Sequence, residues 1–118
     1  MRVFKTSWFA RAAKRARIAD AALCWAVHEA GRGRANDLGG GVLKKRLNRN
    51  LHRSIILAKG GHLWIYVHLF AKQDKASVTP AELAAYRKLA AIYAALNTKQ
   101  LTDMLLSGHL KEIYREQE

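Results

Sequence analysis

The chain has 118 residues, enough for one domain with a single hydrophobic core and too few for two ordinary domains. Hydrophobic residues make up 50% and charged residues 25%, a composition that excludes an intrinsically disordered chain. The 21 Lys and Arg outnumber the 9 Asp and Glu, and the net charge of +12 favours a polyanionic partner. We therefore expect one folded, nucleic-acid-binding domain over residues 1–118.

The cysteine and histidine content also limits the class of protein. A lone cysteine, Cys24, excludes an internal disulfide and a zinc ribbon or finger. The histidines have no metal-ligand spacing, so we expect no metal and no cofactor. No apolar run approaches the roughly 20 residues that cross a bilayer, and no signal-peptide pattern opens the chain. These features predict a cytoplasmic protein without membrane contact.

The first third of the chain predicts a short strand followed by two helices. Segment 1–5 is a strand candidate, and Thr6 or Ser7 can cap a helix over roughly 8–16. Asp20 can cap a second helix, because the apolar residues after it keep helical spacing. A loop rich in Gly and Asn then leads to the next element.

Segment 42–48 predicts a basic strand. It lacks the Gly-Lys pair and the following hydroxyl of a phosphate-binding loop, and its interspersed apolar residues argue against a disordered arm. Strand alternation puts Lys44 and Arg46 on one side and Lys45 on the other. This strand can carry positive charge into a binding groove.

Two further strands are predicted over 52–59 and 62–70, joined by the glycines at 60–61. A Gly-Gly pair can adopt the positive φ angles of a two-residue turn. That turn would pair Arg53 with His68 and place Trp64 and Tyr66 on the same side. The aliphatic residues of the other side would be covered by helices.

The last third of the chain predicts helices. Thr79, Pro80 and Glu82 form a capping box with proline at the first helical position. Asn97 and Gln100 repeat the box for a shorter helix. The tail over 109–118 is compatible with either an edge strand or a helix.

Cations and rings of the predicted strands would form a groove suited to single-stranded RNA, with cations for phosphates and rings for stacked bases. Trp64 is expected to pack beneath a helix, whereas Tyr66 is compatible with either a core or a half-exposed place. Arg53 would disfavour the cationic form of His68, and a neutral imidazole could accept a proton. The residues expected to line the groove are Lys44, Arg46, Arg53, Lys72 and Lys75, with Trp64, Tyr66 and His68 beside them.

Four stretches of the chain resemble the RelE-like toxins of bacterial type II toxin-antitoxin modules, in particular short basic RelE or HigB-type toxins. They are "MRVFKTSWFARAAKR", "DAALCWAV", "DLGGGVLKKRL" and "FAKQDKASVTPAELAAYRKLA". The resemblance covers nearly the whole chain. It implies an α+β fold, a small antiparallel sheet of about four strands with two N-terminal helices packed on one face and C-terminal helices.

The resemblance also implies a function and a site. Many members of the family cleave messenger RNA in the ribosomal A site without a metal, and a cognate antitoxin binds the toxin and brings it to operator DNA. By position, the resemblance assigns catalytic roles to Lys44, Arg46, Arg53 and Lys72. The groove predicted from the strands adds His68 as a fifth catalytic candidate, because a neutral imidazole could accept a proton, and it also supplies candidates for RNA binding. The RNA-binding candidates are Lys45, Arg49, Tyr66 and Lys75.

The chain departs from the family pattern at two places. The family often has Gly-Gly-Tyr/Phe-Arg before the third strand, whereas this chain has a shorter loop ending Asn50-Leu51-His52-Arg53. Gln73 stands where some members place a catalytic arginine. Two alternatives accompany the ribonuclease: a ParE-like gyrase inhibitor on the same superfamily scaffold, and a noncatalytic nucleic-acid-binding protein whose net charge of +12 only binds phosphate.

Overall fold

The computed structural model describes residues 1–75 and 77–116, so residue 76 and residues 117–118 of the predicted domain and tail lie outside the described residues. Six strands and four helices occur within the described ranges. The strands form one sheet in the order β2-β3-β4-β5-β1-β6. In chain order the elements are β1 (Arg2–Thr6), α1 (Ser7–Arg15), α2 (Asp20–Gly31), β2 (Asn36–Asp37), β3 (Val42–Leu47), β4 (His52–Lys59), β5 (Leu63–Ala71), α3 (Pro80–Ala94), α4 (Thr98–Leu106) and β6 (Leu110–Arg115).

The sheet is larger than the predicted four strands and is mixed rather than antiparallel. β1 runs parallel to β5 and antiparallel to β6, while the pairs from β2 to β5 are antiparallel. The tail therefore forms an edge strand, one of the two structures its sequence allowed. Alternation predicts that a segment is extended but not which distant strand it joins, and this is why the sheet was underestimated.

The N-terminal helices begin close to the predicted positions. The Thr6 hydroxyl accepts a hydrogen bond from the amide of Phe9 at 3.1 Å and caps α1. α2 begins at Asp20, but its N-cap is Ala19, without a side-chain cap. The Asp20 carboxylate instead accepts from Lys5 Nζ at 2.6 Å. Asp20 thus ties the start of α2 to β1.

Both predicted capping boxes are present in the C-terminal helices. Thr79 and Glu82 exchange side-chain and backbone hydrogen bonds at the start of α3, and Asn97 and Gln100 do so at α4. Each box satisfies amide groups that have no partner inside the helix. None of the helices that the structure describes is long and apolar enough to cross a membrane.

Helices cover both faces of the sheet and enclose two apolar cores. The α1 face is the side on which α1 and α2 pack, as predicted, and the α3 face is the opposite side. Burial of these side chains provides the main driving force for the fold. The α1-face core includes Val3, Phe9, Leu23, Val27, Ile56, Trp64 and Tyr66, and the α3-face core includes Phe4, Val42, Ile55, Leu57, Ile65, Ala90 and Leu110.

The predicted register of the β4–β5 hairpin is wrong by one residue. Lys59 pairs with Leu63, because the loop contains His62 as well as Gly60 and Gly61. Both glycines have positive φ angles, 58° and 74°, which side chains disfavour. A one-residue shift moves every side chain to the other face. Trp64 consequently lies on the α1 face.

A β-bulge restores the predicted side farther along the hairpin. Ile56 pairs with Tyr66 but Ile55 pairs with His68, so Val67 is an extra residue on β5. Tyr66 and His68 would share a face in a regular strand. The bulge separates them and leaves His68 on the α3 face with Ile55.

Candidate functional site

Three of the predicted cations, Lys44, Arg46 and Arg53, project from the α3 face of the adjacent strands β3 and β4. Lys44 pairs with Ile55, and Arg46 pairs directly with Arg53. Residues paired across a ladder project from the same face, so the two arginines are neighbours. Lys44 is half-buried and Arg46 is exposed, whereas only 7% of Arg53 is exposed. The strand alternation predicted this grouping correctly.

Arg53 is a buried cation held by carbonyl groups. Its Nη1 donates to the carbonyl oxygens of Asn50 and His52, each at 3.1 Å. Within the described ranges no carboxylate lies within 4.0 Å of the guanidinium groups of Arg53 or Arg46, or of the Lys44 ammonium. Buried charges are normally paired, and Arg53 therefore favours an anion brought from outside.

The loop before Arg53 has an unusual backbone. Asn48, Arg49 and Asn50 all have positive φ angles, between 53° and 69°. This conformation suits Asn but is strained for Arg49, whose side chain is exposed. The run turns the chain sharply and aims the Asn50 carbonyl at Arg53. The short loop therefore still orients the arginine.

Lys72 lies beside this loop, at the same end of the sheet. Its amide donates to the carbonyl oxygen of Leu51 at 2.9 Å, and its side chain is exposed. Lys72 and Gln73 line an open groove together with Leu51 and His52. Lys72 and Arg49 thus add exposed positive groups next to the strand cations.

His68 is half-buried between aromatic rings. Its ring stacks on Trp8, with centroids 4.7 Å apart and planes 18° apart, and lies 6.2 Å from the ring of Tyr86. Burial lowers the pKa of His68, the positive charge of Lys75 lowers it further, and Glu82 opposes this. The sequence predicted the direction, but it assigned the cause to Arg53, which pairs with Phe70 instead.

Lys75 is ion-paired rather than free. Its Nζ contacts the Glu82 carboxylate and lies 5.8 Å from the centroid of the Phe70 ring. The hydrogen bond from Lys75 and that from the Thr79 amide lower the pKa of Glu82 to about 2. Lys75 thus joins the site to the start of α3 while keeping its charge near His68.

Two predicted RNA-binding residues lie on the α1 face, the opposite face of the sheet from Lys44, Arg46 and Arg53. Lys45 is 9% exposed, and its Nζ donates to the Arg34 carbonyl oxygen at 2.8 Å and lies 3.4 Å from a Glu29 oxygen. Tyr66 is fully buried, and its hydroxyl donates to the Leu23 carbonyl oxygen at 2.7 Å. Both side chains have structural partners, because the register turns them toward α2.

Other residues of the site were not found from sequence. Trp8 contacts His68, Glu82 binds Lys75, and Phe70 and Tyr86 border the imidazole. A sequence signal existed only for Trp8, which falls outside the apolar stripe of α1 formed by Phe9 and its helical neighbours. An aromatic residue off the buried stripe is a candidate for binding.

The arrangement can bind and polarise an anion. Cations from two adjacent strands project from one face, where a phosphate could accept hydrogen bonds from guanidinium groups, and His68, with its lowered pKa, lies on the same face. Over residues 1–75 and 77–116, no group of three or more His, Cys, Asp or Glu is placed to hold a metal.

Comparison with known families identifies the class of protein. A family model described as the RelE toxin of the RelE/RelB toxin-antitoxin system matches residues 1–113. The chain therefore belongs to the RelE toxin family. It is a toxin of a toxin-antitoxin system, and its family implies a cognate antitoxin as partner. Neither the curated proteins nor the solved structures compared with the chain gave a match.

Proposed function

We propose that this toxin is an endoribonuclease that cleaves messenger RNA in the ribosomal A site without a metal ion. The observation that carries the proposal is the buried Arg53 guanidinium, which has carbonyl partners and stands directly opposite Arg46. Among the described residues, no carboxylate lies within 4.0 Å of either guanidinium group. Two neighbouring cations of this kind form a binding site for a phosphodiester.

The arginines would stabilise the reacting phosphate. Cleavage through the 2′-hydroxyl adds negative charge to the phosphate oxygens as the 2′-oxygen attacks phosphorus and the 5′-oxygen departs. Arg53 is held in place by its carbonyl hydrogen bonds, so it needs little reorganisation when that charge develops. Exposed Arg46 supplies the second contact.

His68 and Lys44 would move the protons. The lowered pKa of His68 keeps its imidazole largely neutral near pH 7, so it can accept the proton of the 2′-hydroxyl. The Lys44 ammonium, on the same face, would donate a proton to the departing 5′-oxygen. The products are a 2′,3′-cyclic phosphate and a free 5′-hydroxyl. The protein then returns to its starting state by exchanging protons with water.

The surrounding cations would position the RNA. Lys72 and Arg49 are exposed at the end of the sheet, and Lys75 remains near the imidazole through its pair with Glu82. Contacts of this kind with the phosphates position the RNA on the protein but do not recognise its base sequence. Gln73 adds no charge next to Lys72, and we expect Gln73→Arg to increase the rate of cleavage.

The proposal extends to partners and location. The ribosome presents the mRNA, and the protein acts in the cytoplasm. A cognate antitoxin of acidic character would cover the cationic site, and operator DNA would be reached only through that antitoxin. Binding to the antitoxin should accordingly weaken as salt is raised.

Primer-extension mapping of transcripts after induction tests the proposal. Cells expressing the protein should show codon-spaced cuts and growth arrest, and Arg46→Ala or Arg53→Ala should abolish both. Arg32→Ala, which removes an exposed cation after α2, is the matched control and should leave both unchanged. A DNA-damage response without cuts would indicate a gyrase inhibitor instead. Growth arrest without either would indicate a noncatalytic binder.

A further inference from the structure

Trp8 exposes a large aromatic surface next to the candidate site. Its side chain is 40% exposed, whereas the adjacent Phe9 is fully buried in the α1-face core. The cap formed by Thr6 fixes the first turn of α1, and stacking on His68 holds one face of the indole. The exposed part of Trp8 is thus presented on a rigid support at little cost in side-chain entropy.

Trp8 lies at one wall of an open groove of about 450 Å³. One wall belongs to α1 and the other to the ends of β4 and β5 and the turn that follows. A groove of this size is within the range of small-ligand sites. Its lining consists of Trp8, Ala12, Arg15 and Ala16 on one side and His52, Leu69, Phe70, Ala71 and Asp74 on the other.

The groove adjoins the candidate site at Trp8 and Phe70. The Trp8–His68 stack separates them by a single pair of rings, and Phe70, which pairs with Arg53, also lines the groove. These two links lead from Arg53 and His68 to the groove, so we expect RNA bound at Arg53 to continue toward Trp8.

The charge of the α1 wall suits a polynucleotide. α1 carries Lys14 and Arg15 in its last turn and no acid in its first. Arg11 and Arg17, before and after this turn in the sequence, are also exposed. The carboxylate of Asp74 on the opposite wall repels phosphate. The backbone is therefore expected along α1, with the base turned inward.

We propose that Trp8 is the stacking platform for an unpaired base next to the cleaved phosphodiester, and that Arg15 binds the adjoining phosphate. This inference rests on the proposed function, because it extends the same RNA beyond the reacting phosphate. Stacking on an aromatic ring contributes about 1–3 kcal/mol per base and tolerates any base. The platform would determine how the RNA is positioned, not which bond is chemically reactive.

Binding of a fluorescein-labelled 2′-O-methyl oligoribonucleotide tests the proposal, since this probe cannot be cleaved through its blocked 2′-oxygens. Trp8→Ala should weaken binding about tenfold, which corresponds to roughly 1.4 kcal/mol. Trp8→Phe should stay within about threefold of the unaltered protein, because it keeps a ring. The matched control is Trp25→Ala, which removes the 66% exposed tryptophan of α2 and should have no effect.

Probes with single abasic positions distinguish stacking from a structural role. At one position the lost base should weaken binding to the unaltered protein about tenfold and cause no further loss with Trp8→Ala. Wild-type affinity in folded Trp8→Ala, or no abasic position that depends on Trp8, would overturn the inference. The ribonuclease proposal is tested separately, by the loss of cleavage in Arg46→Ala and Arg53→Ala. The stacking site can therefore fail its test while the ribonuclease proposal passes, and the two failures are distinguishable.

Discussion

Arg46 and Arg53 stand directly opposite each other on β3 and β4, so that two like charges share one face of the sheet. Like charges in this position destabilise a strand pair. The chain has only 9 Asp and Glu to offset this repulsion. A pair that lowers the stability of the fold is consistent with selection for anion binding. The site and the stability of the fold therefore make opposing demands on Arg46.

Replacing Arg46 by Gln should stabilise the isolated protein. The change removes one of the two repelling charges and should raise the free energy of unfolding by roughly 0.5 kcal/mol. Denaturant unfolding at low salt measures it, and the difference should shrink at high salt. Arg46→Lys keeps the charge and serves as the control. A less stable Gln variant would show that Arg46 contributes to the fold itself.

Replacing Lys45 by Met should lower stability without weakening RNA binding. The change keeps most of the apolar stem but leaves Glu29 and the Arg34 carbonyl without their ammonium partner. We expect a loss of about 1–3 kcal/mol in the free energy of unfolding. The comparison is with Lys44→Met, which should weaken binding of the uncleavable RNA probe. An equal loss of RNA binding in the Lys45→Met and Lys44→Met variants would show that Lys45 also contributes to RNA binding.

The pKa of His68 predicts a pH dependence near neutrality. Burial and Lys75 hold this pKa below 6.5 in the folded protein, while Glu82 acts against them. Between the folded pKa and 6.5 the unfolded chain binds more protons, so the free energy of unfolding decreases as pH falls through that window. Trp8 and Tyr86, the rings packed on the imidazole, carry no charge there.

Thermal unfolding between pH 5 and pH 7 measures this effect. His68→Gln should flatten the slope, and the exposed His62→Gln should leave it unchanged. Under the proposed mechanism, cleavage also declines toward acid as the imidazole becomes protonated. An unchanged slope in His68→Gln would mean that another group titrates in this range.

Glu82 predicts a second dependence at acid pH. Lys75 and the Thr79 amide lower its pKa from 4.5 to about 2 in the folded protein. Its contribution to stability is complete above pH 4.5 and is lost as pH falls toward 2. Glu82→Gln should therefore reduce the acid slope of unfolding, whereas Asp103→Asn, at an exposed helix pair, should not. The same slope in both variants would contradict the assignment.

Local signals in the sequence predicted the secondary structure well. The capping boxes that begin with Thr79 and Asn97 were identified from residues three apart, and both are present. The strand alternation that separates Lys44 and Arg46 from Lys45 was also correct. Each of these features depends only on residues within one helical turn or one strand, so it can be predicted from the local sequence.

What the sequence determined by itself is the basic charge, the helix starts and the grouping of Lys44 with Arg46. Only the tertiary structure decided that Tyr66 is buried while His68 joins the cations. The three-residue loop between β4 and β5 and the bulge at Val67 determine which face of the sheet each side chain occupies, because each shifts the strand pairing by one residue. Such shifts depend on how distant strands and helices pack together, and alternation along one strand carries no information about that packing.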